Sequence, residues 1–234
     1  MPDLDFQVIG VEAATNGLAP LLQFKIHVKN GSMETVHSVL LHAQIQIQPR
    51  QRTYNAGEKE KLVELFGTPD RWGQTLRNQL WTSGDTTIGA FTDNTEAKFP
   101  VPCTYDVSRA ATKYFYGLEE GDIPLLFLFS GTIFYALENG ALQAQPIPWN
   151  KEAAFRMSVA AWRDLMQQHF PNSTWLCLRH DVFDRLHAFK RANGDSTWEQ
   201  TIQRLLPEPV AGSARCANRK AQRSIPAKST EIVA

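Results

Sequence analysis

The chain has 234 residues, 43% hydrophobic and 21% charged, with 24 basic side chains against 24 acidic ones and a formal net charge of zero. That composition describes a globular protein with ample material for a core. Its neutrality excludes a whole-molecule electrostatic case for nucleic acid or for an acidic membrane surface. The balance is uneven. From Pro207 onward five basic residues (Arg215, Arg219, Lys220, Arg223, Lys228) face Glu208 and Glu231, a net +3, which leaves −3 on the body.

In chain order, residues 6–12 read as a first strand. Leu22, Phe24, Ile26 and Val28 alternate with polar residues, the period-2 signature of a half-buried strand. After an Asn30-Gly31 turn, Val39, Leu41, Ala43, Ile45 and Ile47 repeat that pattern to Pro49, continuing an antiparallel meander with one solvated face. Residues 58–66 read as a helix. Residues 69–80 read as a second one, with Trp72, Leu76 and Leu80 about a turn apart. Residues 81–102 carry no clear period and read as an irregular segment, after which Val101, Cys103, Tyr105 and Val107 begin another strand. The Tyr114-Phe115-Tyr116 cluster, within 109–122, suits either a strand or a helix.

Residues 124–149 organise the rest. Leu125 to Phe129 is apolar on both faces, which predicts a central strand with strands beside it and helices or a second sheet across it. Glu138-Asn139-Gly140 supplies a hairpin turn. The period then changes to 3.6. Asn150 caps a predicted helix carrying Phe155, Val159, Trp162 and Met166, and His169 to Asn172 stops it. A second helix follows Asp181 and closes at Asn193-Gly194, and Ser196 with Glu199 makes a capping box for a third, whose buried stripe is Trp198, Ile202 and Leu205. Pro207, Pro209 and sparse apolar content predict a disordered tail. The expected fold is therefore α+β: a sandwich-like antiparallel β-sheet with a helical insertion and three C-terminal helices packed on it. It forms one domain over residues 1–206, with a disordered basic tail over 207–234.

The start of the chain has no basic n-region and no apolar h-region, and no run approaches the ~20 residues of a membrane span. Cys103, Cys177 and Cys216 are odd in number and widely spaced, neither a disulfide framework nor a metal knuckle. A reducing, cytoplasmic setting is expected, with Cys103 and Cys177 as small core residues. Nucleophile elbows, phosphate loops, dinucleotide fingerprints and zinc-protease helices are absent from the text. His180, Asp184 and His187 share a helical spacing but lack further ligands, so a solvated helix face is the plainer reading. His27 and His42 lie on polar strand faces.

Two function classes follow. The first is a non-enzymatic accessory or chaperone-like protein, expected to take a protein partner or self-associate, with no membrane and no nucleic acid. Its surface is expected in the irregular middle, at Trp72, Trp81 and Phe91, or at a sheet edge. The alternative is an enzyme or small-molecule binder with a site on the 82–100 loop, built where Asp85 or Asp93 meets a histidine such as His42. A structural assembly subunit is a third reading. No cofactor, metal or catalytic residue is assigned, and enzymatic activity is not expected.

The wording FLFSGTIFY, then PIPW, then HFPNSTWLCLRHDVFDRLHAFK resembles a bacterial domain-of-unknown-function family over residues 5–206. The resemblance implies genes near those of nickel-iron hydrogenases and transfers no catalytic residue. The order Phe170-Pro171, Leu176 and Leu178, then Phe183-Asp184 with Leu186 also resembles the SecB export chaperone, which implies a client-binding sheet and groove. Residues 50–100 depart from that pattern.

Overall fold

The computed structural model describes residues 1–14, 19–104, 109–137, 140–174 and 176–207. The chain divides into two compact units, Met1–Trp175 and Leu176–Ala234. Expectations placed on Tyr105, Val107, Glu138, Asn139, Trp175 and the tail from residue 208 lie outside the described residues.

The first unit is built on two antiparallel sheets. One joins β1 (Leu4–Ala13), β2 (Leu21–Asn30) and β5 (Asn94–Pro102) in the order β1-β2-β5. The other runs β4 (Gln79–Ile88), β3 (Val36–Ile47), β6 (Asp122–Ala136) and β7 (Leu142–Pro146), with β8 (Glu152–Ser158) also pairing with β6. Alternate side chains of the two sheets meet in the core. Phe24 of β2 packs edge-on against Phe127 of β6 at 5.1 Å, and Phe6 of β1 stacks on Phe129 at 4.8 Å. The α+β class with antiparallel sheets is what the two periods imply, and β6 is central, paired on both edges.

Several elements differ from the sequence reading. β3 does not extend the meander of β1 and β2 but crosses to the second sheet. Asn30 holds the crossing: its Nδ2 donates to Glu34 O at 2.8 Å and Thr92 O at 2.9 Å. Residues 82–100 are not a loop, because β4 and β5 occupy most of them. β4 buries few apolar side chains, and its register slips opposite Ile45 and Gln46, so Trp81 and Thr82 are both buried and the alternation is erased. Phe155 lies in a strand rather than a helix. The EAAFRMS alternation fits the open edge of β6, where Leu125 pairs with Phe155. Ser158, not Asn150, then caps α5 (Val159–His169).

The insertion holds α1 (Ala56–Lys61), α2 (Val63–Phe66), a 3-10 turn at Pro69–Arg71 and α3 (Trp72–Thr75), so the second predicted helix ends five residues early. Arg109–Gly117 is helical and forms α4. Of the three expected C-terminal helices, α5 contacts β1, β2 and β8. α6 (His180–Asn193) and α7 (Trp198–Leu205) belong to the second unit. Gly194 ends α6 in the left-handed region, as expected. The capping box of α7 is Thr197 with Gln200, one residue beyond the predicted pair. Leu205 is 53% exposed, while Thr201 is the buried residue of that helix. Among the described residues no helix is long and apolar enough to cross a membrane.

Candidate functional site

A cleft of about 800 Å³ opens between the 50–58 segment, the α4–β6 loop and β8, lined by none of the candidate site residues marked in the sequence. Its wall begins with a local device. Asn55 caps α1 by accepting from Glu58 N at 2.8 Å, and Glu58 Oε2 accepts from Asn55 N at 3.2 Å. The carboxylate of Glu58 is thereby fixed beneath the surface at 2% exposure. It pairs there with Arg52, whose side chain is 8% exposed. Arg52 also donates from Nη1 to Asp122 O at 2.7 Å and from Nη2 to Glu120 O at 2.6 Å.

The α4–β6 loop is held along its whole length. Glu119 N–H donates to Glu58 Oε1 at 2.8 Å. Arg163 takes Glu119 O at 2.5 Å and also Leu118 O, while Val159 N–H takes Gly121 O at 2.8 Å. Every carbonyl from Leu118 to Asp122 therefore has a donor, and four of those five residues rely on two arginines distant in sequence. Lys61 and Asn55 hydrogen-bond the Glu119 carboxylate at 2.9 Å each, and these contacts, Lys61 first, hold its pKa below the ordinary value. Behind the cleft, Tyr54 O–H donates to Pro49 O at 2.8 Å and sits 2.8 Å from the Tyr114 hydroxyl. Burial pushes the Tyr54 phenol up to about 12, and the Tyr114 phenol is also raised, with burial again the main cause.

The residues singled out in the sequence fall elsewhere. Trp72, Trp81 and Phe91 form no exposed patch: they are 6%, 5% and 8% exposed and belong to the core. Trp72 donates its indole N–H to Gly67 O and packs edge-on against Tyr54 and Phe66. Trp81 lies between Phe24 and Phe115. Large aromatics in a segment without clear periodicity signal a surface, whereas Trp72 packs within the insertion, Trp81 packs from β4 into the core and Phe91 bridges to Val36.

His42 and Asp85 do meet. They are register partners on β3 and β4, with Nδ1 and Oδ1 2.8 Å apart, beside Ser130 of β6. A shallow groove of about 360 Å³ runs past them, but Asp85 is 81% exposed. Asp93 is not part of this pair. It lies between β4 and β5, where its carbonyl accepts from Asn30 N at 2.7 Å. His27 is on the other sheet, opposite Gln7 and Glu96. His180 contacts Asp184 at 3.2 Å on an exposed helix face, while His187 stacks on Phe183. Among the described residues no three His, Cys, Asp or Glu side chains converge as a metal site.

The outer faces of the two sheets differ in chemistry. On the β1-β2-β5 sheet, Glu12 bridges Lys25 at 2.8 Å and Lys98 at 3.2 Å, an ion-paired, solvated surface. Strands β3, β4 and β6 contain neither Lys nor Arg. Their outward positions include Leu40 and Leu80, 52% and 58% exposed, and the half-buried Leu126, Leu128 and Phe134.

Among solved structures the chain is similar to a CARDB domain from Pyrococcus furiosus in complex with di-metal ions: 16% identity, 67% of this chain, 92% of that one, TM-score 0.26. A protein of Bordetella pertussis assigned as ApaA matches at 13% identity over 67% of this chain and 94% of that one, TM-score 0.27. A protein assigned to the late embryogenesis abundant class matches at 12% identity over 67% and 72%, TM-score 0.31. Likenesses this shallow carry no argument about function. No curated protein matches the chain. One family model spans residues 1–213, and by that match the chain belongs to the family of unknown function DUF6084.

Proposed function

We propose that this protein is a non-enzymatic accessory domain that works by binding another protein through the outer face of its β4-β3-β6 sheet. One observation carries the reading: three adjacent strands without a single Lys or Arg present exposed leucines, while the opposite sheet is laced with ion pairs. Lysine is depleted and apolar side chains are enriched at the centre of protein interfaces, and a face of this kind left in water is an association site. The resemblance to a bacterial family with hydrogenase-linked genes makes a component of a nickel-iron hydrogenase, in the bacterial cytoplasm, the first partner to test.

The test is co-expression with the hydrogenase genes, followed by affinity purification of the full chain and measurement of solution mass. Leu40→Glu with Leu128→Glu should abolish a stoichiometric complex while the far-ultraviolet spectrum stays unchanged. A complex recovered equally from the doubly substituted chain would refute this face. A uniform homodimer dissociated by the same pair would make the partner a second copy of the chain.

A further inference from the structure

The cleft beside Arg52 is independent of that sheet face and has the character of a built site. Its floor is pre-set, because each carbonyl from Leu118 to Asp122 is already taken by Arg52, Arg163 or Val159 N–H. Arg52 is no loose surface charge. Its side chain is more than nine-tenths buried, and its Nε has no hydrogen-bond partner among the described residues.

Around that floor, charges of both signs line the cleft without pairing. Arg50 and Arg156 donate to backbone carbonyls, of Gly73 and Gln51 respectively, and neither forms an ion pair among the described residues. The carboxylates of Glu120 and Asp122 line the same space and also form no ion pair among the described residues. The loop holding these two acids is pinned through its backbone, so the acids are kept from collapsing onto the arginines. A volume of about 800 Å³ falls within the ~300–1,000 Å³ typical of small-ligand sites.

We infer that this cleft binds a small zwitterion of the amino-acid class. A ligand carboxylate would face the guanidinium groups of Arg50 and Arg156, which suit carboxylates through their planar fork of donors. The ligand ammonium would face Glu120 and Asp122. A ligand carrying only one charge would leave the opposite-sign pair of the cleft unanswered.

The experiment is calorimetric titration of the full chain with the proteinogenic L-amino acids singly, and with acetate and methylammonium as single-charge probes. At least one amino acid should bind, and neither single-charge probe should. Arg156→Gln and Asp122→Asn should each weaken binding by about tenfold or more. Both positions are exposed, so the thermal midpoint should stay within about 2 °C of the parent. Leu40→Glu on the sheet face should leave the titration unchanged. The inference is overturned if no amino acid binds, if acetate binds as well as the best amino acid, or if both cleft variants bind like the parent.

Discussion

Replacing Glu58 by alanine tests whether the buried pair beneath the cleft organises this end of the molecule. The carboxylate at 2% exposure serves three donors: Arg52, Glu119 N–H at 2.8 Å and Asn55 N–H at 3.2 Å. Without it, the guanidinium of Arg52 stays buried, held by Glu120 O and Asp122 O but with no countercharge. Breaking a buried pair in this way costs about 3–5 kcal/mol. A buried amide left without an acceptor adds about 1–3 kcal/mol, and the terms overlap because they share one carboxylate. A total near 4–6 kcal/mol is a large share of the roughly 5–15 kcal/mol that stabilises a typical protein. At about 2–4 °C per kcal/mol for a chain of this size, the thermal midpoint should fall by roughly 8–24 °C.

Arg52→Met combined with Glu58→Leu removes both charges and should cost less than Glu58→Ala alone, since hydrophobic replacement of a whole buried pair is often close to neutral. Denaturant melts of the parent, Arg52→Met, Glu58→Leu and the double variant give the coupling directly. A loss below about 1 kcal/mol for Glu58→Ala, or a double variant worse than either single one, would show that water reaches the pair and that its burial does not organise the loop.

Gly131 stands at φ +136° on β6, and a methyl group added there would meet Leu40 O at 2.0 Å. Gly131→Ala should therefore cost about 3 kcal/mol or more by denaturant melt, and a neutral result would contradict the β3–β6 register. In a Cys216→Ser background, Cys177 is exposed and should react promptly with a thiol reagent. Cys103, whose thiol burial pushes up to about 12, should react at least about a hundredfold more slowly until the chain unfolds. Equal native rates would contradict the placement of Cys103 in the core. The Tyr54 and Tyr114 phenols keep their protons to higher pH in the folded chain than the ordinary value of about 10. The unfolded chain therefore loses protons first. The stability they contribute is whole below about pH 10 and is lost as pH rises toward 12, so denaturant midpoints should fall across that window. Tyr54→Phe with Tyr114→Phe should flatten the decline, and an unchanged slope would assign it to other groups.

Local patterns carried much of the fold. β2, β3 and β6 bury alternate side chains at the positions their hydrophobic period marks, because a strand with one buried face must repeat every two residues. The αL cap at Gly194 was readable because chain ends of helices have few chemical solutions. The strand β8 was misread because Phe155, Val159, Trp162 and Met166 also satisfy a helical period. In β4 a bulge and a run of Ser, Gly, Asp and Thr disguise the alternation, whereas β5 alternates at Ala97, Phe99 and Val101 but carries two prolines, Pro100 and Pro102, that read as breaks.

The candidate site was scarcely legible. The Asn55–Glu58 half of the capping box can be read over three residues. That Glu58 turns inward to meet Arg52, and that Arg156 and Asp122 line the same cleft, cannot be read in that way. Periodicity and turn chemistry act between near neighbours, so the residues in order are enough to mark a sheet protein with one strand apolar on both faces. Which sheet each strand joins, which side chains of the insertion become core, and which charges converge on one cleft are set by long-range contacts. Those outcomes depend on residues brought together from far apart, where the gain from shared burial and paired charge exceeds any local preference.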